Sequence, residues 1–340
     1  METKLLEPIP EELQVAGEII RAGGLVAFPT ETVYGLGADA LSAEAVARIF
    51  EAKGRPRFDP VIVHVAAPEE AEALWSEVPP LARRLMERFW PGPLTIVLPK
   101  RDVVPDIVTA GLPTVAIRMP DHEVALGLIR AAGHPIAAPS ANRFGKTSPT
   151  HHEHVLEELG GRIEAVIAAG PTPVGIESTV ISLVEEPPRV LRPGGTPLEL
   201  LQEVVGELRA DPLQVKRGPA PSPGTMRRHY MPQTPLFLLE GGLPGDGWEE
   251  LPRERCGYLG FTTAKRGFRH REVLSGRGDL REAAARFFAA LRRLDSIGVT
   301  AIVAEPVPEE GLGVAIMDRL KRASQGVARL NEHSVWIKRT

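Results

Sequence analysis

Residues 28–40 read FPTETVYGLGADA, and residues 51–65 read EAKGRPRFDPVIVHV. The apolar run at 25–28 predicts a short buried strand, which passes into a Gly-containing loop. Ser42 is placed to cap a helix that turns Val46, Ile49 and Phe50 inward and stops at Gly54. Residues 61–65 are a second strand-like run. Strand, loop, helix and strand in forty residues point to an α/β domain. Lys53, Arg55 and Arg57 follow the end of that helix. Cations there often only complement the macrodipole, but a stiff Gly-Arg-Pro turn would also hold Lys53 and Arg55 for nucleotide phosphates. His64 lies on a strand, where a satisfied core histidine is the commoner case.

The same pattern continues on both sides. Helical periodicity spans residues 10–22, 69–75, 80–90, 122–132, 151–159 and 197–208, and strand-like runs fall at 95–98, 115–118, 136–138, 165–167, 179–184 and 189–191. This predicts an α/β domain over residues 1–208. Residues 209–235 hold six prolines and no long apolar period, a linker signature. Residues 236–340 return to strands at 236–239, 257–261 and 301–304 and helices at 279–297 and 311–323, enough for a second, smaller α/β domain.

The composition narrows the classes of function. The chain has 340 residues, 40 Lys+Arg, 44 Asp+Glu, 33 Pro and one Cys. No apolar run reaches the ~20 residues of a membrane span. The acidic N-terminus shows no secretory h-region, so a cytoplasmic protein is expected. Cys256 alone can form neither an internal disulfide nor a Cys-rich zinc site. The net charge of -4 argues against a generally basic nucleic-acid binder. It divides into -11 over 1–208, +4 over 209–235 and +3 over 236–340, so a basic linker could lie over an anionic ligand.

Further stretches carry chemistry. PTVAIRMPDH (113–122) ends an apolar strand on Arg118, whose buried charge must be paired by an internal acid or by a substrate carboxylate. PIAAPSANRFGKTSPT (135–150) opens from a strand into small polar residues. Such groups suit either a ligand site at the carboxyl end of a strand or a capped loop. GIESTVISL (175–183), VLRPGG (190–195) and SPGTMRRHYMPQTP (222–235) complete the set. His151, His152 and His154 open an amphipathic helix and are taken as solvated. There is no P-loop, no dinucleotide fingerprint and no nucleophile elbow.

Taken in order, FPTETVYGLG, KGRP, VIVH, AIRMP, PSAN, ESTVI and LRPG resemble the YrdC-like family of threonylcarbamoyl-AMP synthases. The SPG-x-M-x-x-HY-x-P segment resembles its longer, two-domain form. The resemblance implies a twisted open mixed α/β sheet followed by a smaller Rossmann-like α/β domain. It implies nucleotidyl transfer, in which L-threonine, bicarbonate and ATP with Mg2+ give threonylcarbamoyl-AMP and pyrophosphate. The product would pass to a tRNA threonylcarbamoyl transferase, so that contact with tRNA is indirect.

By motif, Lys53 and Arg55 would be the catalytic cations on the ATP phosphates. Thr32, His64, Arg118, Ala138 through its backbone, and Ser178 would hold threonine. Thr114, Ser140, Asn142, Ser148, Arg192 and His229 would surround the nucleotide, with Tyr230 closing over it. Asp59 stands where the family usually has Asn; a carboxylate there would repel phosphate unless it helps hold Mg2+. A non-catalytic RNA-binding module is the alternative, disfavoured by the acidic first domain. A carbamoyl-transferring maturation factor is disfavoured by the single Cys, which leaves no zinc fingers.

Overall fold

The computed structural model describes residues 2–210, 229–244 and 247–340. Two units separate. The first comprises residues up to Phe144 and from Ser148 onward, and the second comprises Gly145–Thr147 and the chain after the Pro-rich segment. Residues 211–228 of the expected linker lie outside the described residues.

Ten strands make the sheet of the first unit: β1 (Lys4–Leu6), β2 (Val26–Phe28), β3 (Gly35–Asp39), β4 (Val63–His64), β5 (Leu94–Pro99), β6 (Thr114–Arg118), β7 (Ile136–Ala137), β8 (Ala165–Ile167), β9 (Thr179–Ser182) and β10 (Arg189–Arg192). Their order is β1-β8-β2-β3-β7-β4-β6-β5-β9-β10. The pairs β1–β8, β2–β8, β4–β6 and β5–β9 are parallel, and the remaining neighbours are antiparallel.

Alternation along the strands gives the sheet two unlike faces. Ala27, Leu36, Ala38, Val63, Ile96, Ile117 and Ile181 enter the main core, which also takes Val46, Ile49, Phe50, Leu85 and Leu201 from helices. On the other face, Val26, Phe28, Ile136 and Ala138 pack with Ala16, Ile20, Leu128 and Ile129 of helices Pro10–Arg21 and Glu123–Ala132. Among the described residues, the remainder of that face carries a small cluster, Ile62, Val97, Ala116 and Val180, with Leu191 packed against it and no helix residue in it. That half-face is the floor of the candidate site.

The stretch that opened the sequence reading folds differently from expectation in one respect. Residues 35–39 are not loop but the buried strand β3, paired to β2 and β7. Its glycines are there for space rather than for a turn. A Cβ on Gly37 would lie 2.8 Å from Ile136 Cγ2 and 2.9 Å from Phe28 Cε1. The helix after it behaves as its sequence dictates. Ser42 Oγ accepts from Ala45 N–H at 3.2 Å, and Gly54 ends the helix at φ 63°.

The second unit has a seven-stranded sheet, β12-β17-β16-β11-β15-β13-β14. Its strands are β11 (Leu236–Leu239), β12 (Glu249–Pro252), β13 (Cys256–Gly260), β14 (His270–Val273), β15 (Ala301–Ala304), β16 (Ser324–Leu330) and β17 (Ser334–Arg339). The run from β16 to β14 is parallel, while β17 and β12 add an antiparallel edge. Asp279 caps helix Leu280–Ser296 by accepting from Arg281 and Glu282 N–H. Cys256 is buried, and burial pushes its thiol up to about 11, so it is no nucleophile at neutral pH. Among the described residues, no helix is long and apolar enough to cross a membrane.

Candidate functional site

On β6, Thr114, Ala116 and Arg118 share the face that carries no helix residue in its apolar cluster, because Val115 and Ile117 point into the main core. Arg118 is 3% exposed. The loop after β2 folds back to meet it: Arg118 Nη1 donates to Thr32 Oγ1 at 2.9 Å, and Nη2 is ion-paired with Glu31 Oε2. Both readings of Arg118 made from sequence therefore bear on one residue. It has an internal acid, and its Nε has no hydrogen-bond partner among the described residues. Glu31 Oε1 is likewise buried without a partner. The loop conformation is self-made, since Thr30 Oγ1 accepts from Thr32 and Val33 N–H and donates to Val33 O at 2.7 Å.

His64 pairs across the ladder with Arg118 and packs edge-on to Phe28, ring centroids 6.1 Å apart. Burial and the neighbouring Arg118 charge pull its imidazole down to about 3, so it is neutral at physiological pH. Ser178 closes this end. Its Oγ lies 2.7 Å from Thr95 Oγ1, and Arg192 Nη2 donates to Ser178 O at 2.9 Å and to Ser178 Oγ at 3.2 Å. Gly194 permits this approach, because a Cβ there would lie 2.3 Å from Glu177 O and 2.3 Å from Ser178 C. Gly194→Ala is expected to cost roughly 1–3 kcal/mol, as overpacking does. It should also displace Ser178 and Arg192, which a urea midpoint and a threonine KM would report together.

Lys53 and Arg55 correct the picture of free cations on a stiff loop. Both are buried, at 2% and 7% exposure. Lys53 Nζ donates to Ser140 O at 2.5 Å and to Asn142 O, tying its helix to the loop after β7. Burial, with the Arg55 charge beside it, pulls the Lys53 ammonium down to about 7. Arg55 wraps its own loop, with Nε donating to Asp59 O at 3.1 Å and Nη2 to Pro60 O at 2.7 Å. Asp59 is wholly buried and ion-paired with Arg55 at 2.9 Å. Burial raises its carboxyl, against the pull of Arg55, Lys53 and Arg192. It is thus the internal counter-ion of Arg55 rather than a side chain reaching out to a ligand. The physical reason is local: four residues and Pro56 bring the two groups together inside one turn.

The other expected residues divide. Ser140 bridges to Gly35, and Ala138 N–H donates to Ile62 O at 2.9 Å, which places both beside the floor. Asn142 Nδ2 donates to Arg143 O at 2.8 Å. Ser148 Oγ donates to Glu177 Oε1. Backbone bonds from Tyr34 N–H to Pro149 O and from Val174 N–H to Glu31 O stitch these loops together. Thr114 stands at the far end of β6 from Arg118, about 13 Å away at ~3.3 Å per residue, on the rung of Pro99. The small polar residues after β7 thus lie beside the sheet face on which loop 29–34 folds back to meet Arg118.

His229 and Tyr230 belong to the second unit. There Tyr230 adopts φ 63°, packs 5.7 Å from the Phe288 ring, and lies under the Arg319 guanidinium at 5.2 Å. Sequence reasoning passed over Glu31, Glu177 and Thr95. The first two sit inside quoted motifs, TET and IES, but their burial follows from loop packing that residue types do not show.

Two family profiles match the chain in series. One, described as Telomere recombination, covers residues 18–194. The other, described as the C-terminal domain of threonylcarbamoyl-AMP synthase, covers residues 196–325. The chain is 49% identical over 325 residues to a threonylcarbamoyl-AMP synthase of Pyrococcus abyssi, covering 92% of this chain and 94% of the relative. It is 45% identical over 326 residues to one of Bacillus subtilis, covering 93% of each. The crystal structure of P. abyssi Sua5 complexed with L-threonine superposes with a TM-score of 0.87 at 44% identity, over 97% of this chain and 100% of that one. With profile matches to both halves and full-length relatives, the chain belongs to the threonylcarbamoyl-AMP synthase family.

Proposed function

We propose that the sheet face of the first unit that carries Arg118 binds L-threonine at its Arg118 end and ATP toward Lys53, Arg55 and Thr114, and joins them as threonylcarbamoyl-AMP. The observation that carries this is the buried Arg118–Thr32–Glu31 cluster with a guanidinium N–H left over. It stands in a chain that is alike, over its whole length, to a structure holding L-threonine.

The chemistry suits this site. Threonine's amine, once uncharged, attacks bicarbonate to give a carbamate and water. A carbamate oxygen then attacks the α-phosphorus, and pyrophosphate leaves. No protein nucleophile is needed, and positioning with charge neutralisation supplies most of the barrier reduction. Arg118 would hold the threonine carboxylate, with Thr32, His64, Ala138 and Ser178 around it. Neutral His64 contributes shape and hydrogen bonding there, not charge. Lys53, Arg55 and Arg192 would face the phosphates, with Thr114, Ser140, Asn142 and Ser148 around the nucleotide.

A resident Mg2+ does not fit the donors present. Asp59 is paired with Arg55, Glu31 with Arg118, and Glu177 takes the Ser148 hydroxyl. Among the described residues these carboxylates do not gather into a ligand cage; the one group of three potential ligands is His151, His152 and Glu153, whose nitrogens suit a hard cation poorly. ATP would bring Mg2+ on its own phosphates, as substrate.

The direct test is pyrophosphate release by purified protein with ATP, Mg2+ and bicarbonate. Release is expected only when L-threonine is added, and release indifferent to L-threonine would sink the proposal. The product would feed the threonylcarbamoyl modification of tRNA, through a transferase.

A further inference from the structure

Two buried polar atoms belong to the Arg118–Glu31 ion pair, and neither has a hydrogen-bond partner among the described residues: Arg118 Nε and Glu31 Oε1. One is a donor on a cation, the other an acceptor on an anion. Leaving either without a partner in a buried site is costly. The remaining atoms of the pair are engaged. Nη1 is on Thr32 Oγ1, and Nη2 is on the other Glu31 oxygen. The Glu31 backbone is fixed as well, because its carbonyl accepts from Val174 N–H at 2.8 Å.

An α-amino acid is the ligand class that matches such a pair. It carries an anion and a cation two bonds apart, in the reverse order. Laid against the pair, its carboxylate takes Arg118 Nε and its ammonium donates to Glu31 Oε1. We infer that Glu31 is a specificity-determining residue that receives the substrate's ammonium, so that the site selects an amino acid over the corresponding hydroxy acid. This rests on the functional reading above, and extends it by assigning the amine a partner that none of the residues named for threonine supplied.

The arrangement also explains why a buried acid sits beside the one cation that must take a carboxylate. As a mere counter-ion, Glu31 would compete with the substrate for Arg118. As half of a dipolar receptor, it turns that competition into a second contact. The amine must shed a proton before it attacks, so the Glu31 contact belongs to ground-state binding. Its loss should appear in the threonine KM more than in kcat.

The test compares two ligands on two proteins by calorimetry without nucleotide. L-threonine is set against β-hydroxybutyrate, which keeps the carboxylate and the hydroxyl but lacks the amine. The wild-type chain is expected to bind L-threonine at least ~10-fold more tightly, the scale of a hydrogen bond to a charged group. In Glu31→Gln, which keeps the acceptor for Arg118 but not the charge, that preference should fall to about 3-fold or less. Two results would overturn the inference. One is a wild type that binds both ligands equally, a measurement that needs no variant to fold. The other is a Glu31→Gln protein that weakens both ligands by the same factor, since Glu31 would then only hold Arg118 in place. A wild type that binds neither ligand, with no threonine-dependent pyrophosphate release, would instead sink the functional reading, and this assignment with it.

Discussion

Replacing Arg118 by leucine is expected to abolish threonine-dependent turnover and to remove about 3–5 kcal/mol of stability, the usual result of stranding one partner of a buried ion pair. The stranded group is Glu31, whose side chain is only 6% exposed and whose other oxygen already lacks a partner. The double variant Glu31→Leu with Arg118→Leu separates the two effects. Removing both charges leaves neither uncompensated, so most of the stability should return. Activity should not return, because no guanidinium is left for the substrate carboxylate. Urea unfolding and pyrophosphate release on the three proteins decide the matter. A double variant as unstable as the single one would show that packing, not charge, dominates at this position.

Lys53 carries the second large effect, and the structure changes what is expected of it. A side chain facing only ligand could be removed without harm to the fold. Lys53 instead satisfies the carbonyls of Ser140 and Asn142 inside the protein. Lys53→Met keeps the length but removes the donors. It should cost about 2–4 kcal/mol, the scale of two buried acceptors losing their partner. Turnover should fall at least ~100-fold, the scale of one lost preorganised donor.

The Lys53 substitution also has a pH signature. In the folded chain Lys53 releases its proton near 7, whereas its ordinary value is 10.5. Between those values the unfolded chain holds a proton that the folded chain has lost. This residue therefore makes stability rise with pH across that window, and adds nothing to the slope below it. The wild type should gain stability between pH 7 and 9 relative to Lys53→Met (a window taken from the shift itself), and equal slopes in urea would refute the assignment. A neutral amine still has the two N–H bonds that the carbonyls need. Nucleotide phosphates favour the charged form, so nucleotide binding above neutrality should take up a proton.

Much of this was legible in the chain. Ser42 and Gly54 bound their helix as cap and stop, and the apolar runs at 165–167 and 301–304 are strands at those positions. Strand β3 was not legible, because GLGAD has the composition of a loop. Pairing with β2 and β7 makes it a strand, and the close approach of Phe28 and Ile136 leaves room for glycine alone at 37. Arg118 announced itself as a buried cation at the end of an apolar run. Glu31 did not, because its burial depends on loop 29–34 folding back to meet Arg118. Lys53 and Arg55 were visible as cations. Their partners, two backbone carbonyls and a carboxylate four residues on, belong to loop geometry that residue types do not encode.

The centre of the ten-stranded sheet has a mechanical meaning. Strands β4 and β7 are two residues long, yet among the described residues they are the strands that stand between β3 and β6, with the Arg118–Glu31 ion pair and the Arg118–Thr32 hydrogen bond reaching across beside them. The sheet is therefore two broad plates on a narrow waist, and the waist runs beneath the candidate site. Ser140 and the loop bearing Thr32 are anchored to one plate, while Thr114 and Arg118 belong to the other. A ligand that spans them acts as a rivet across the thinnest part of the fold. Its binding free energy then counts directly toward holding the plates together. The empty enzyme would be most compliant at the place where the reaction demands the tightest alignment, and the substrates themselves would supply the stiffness.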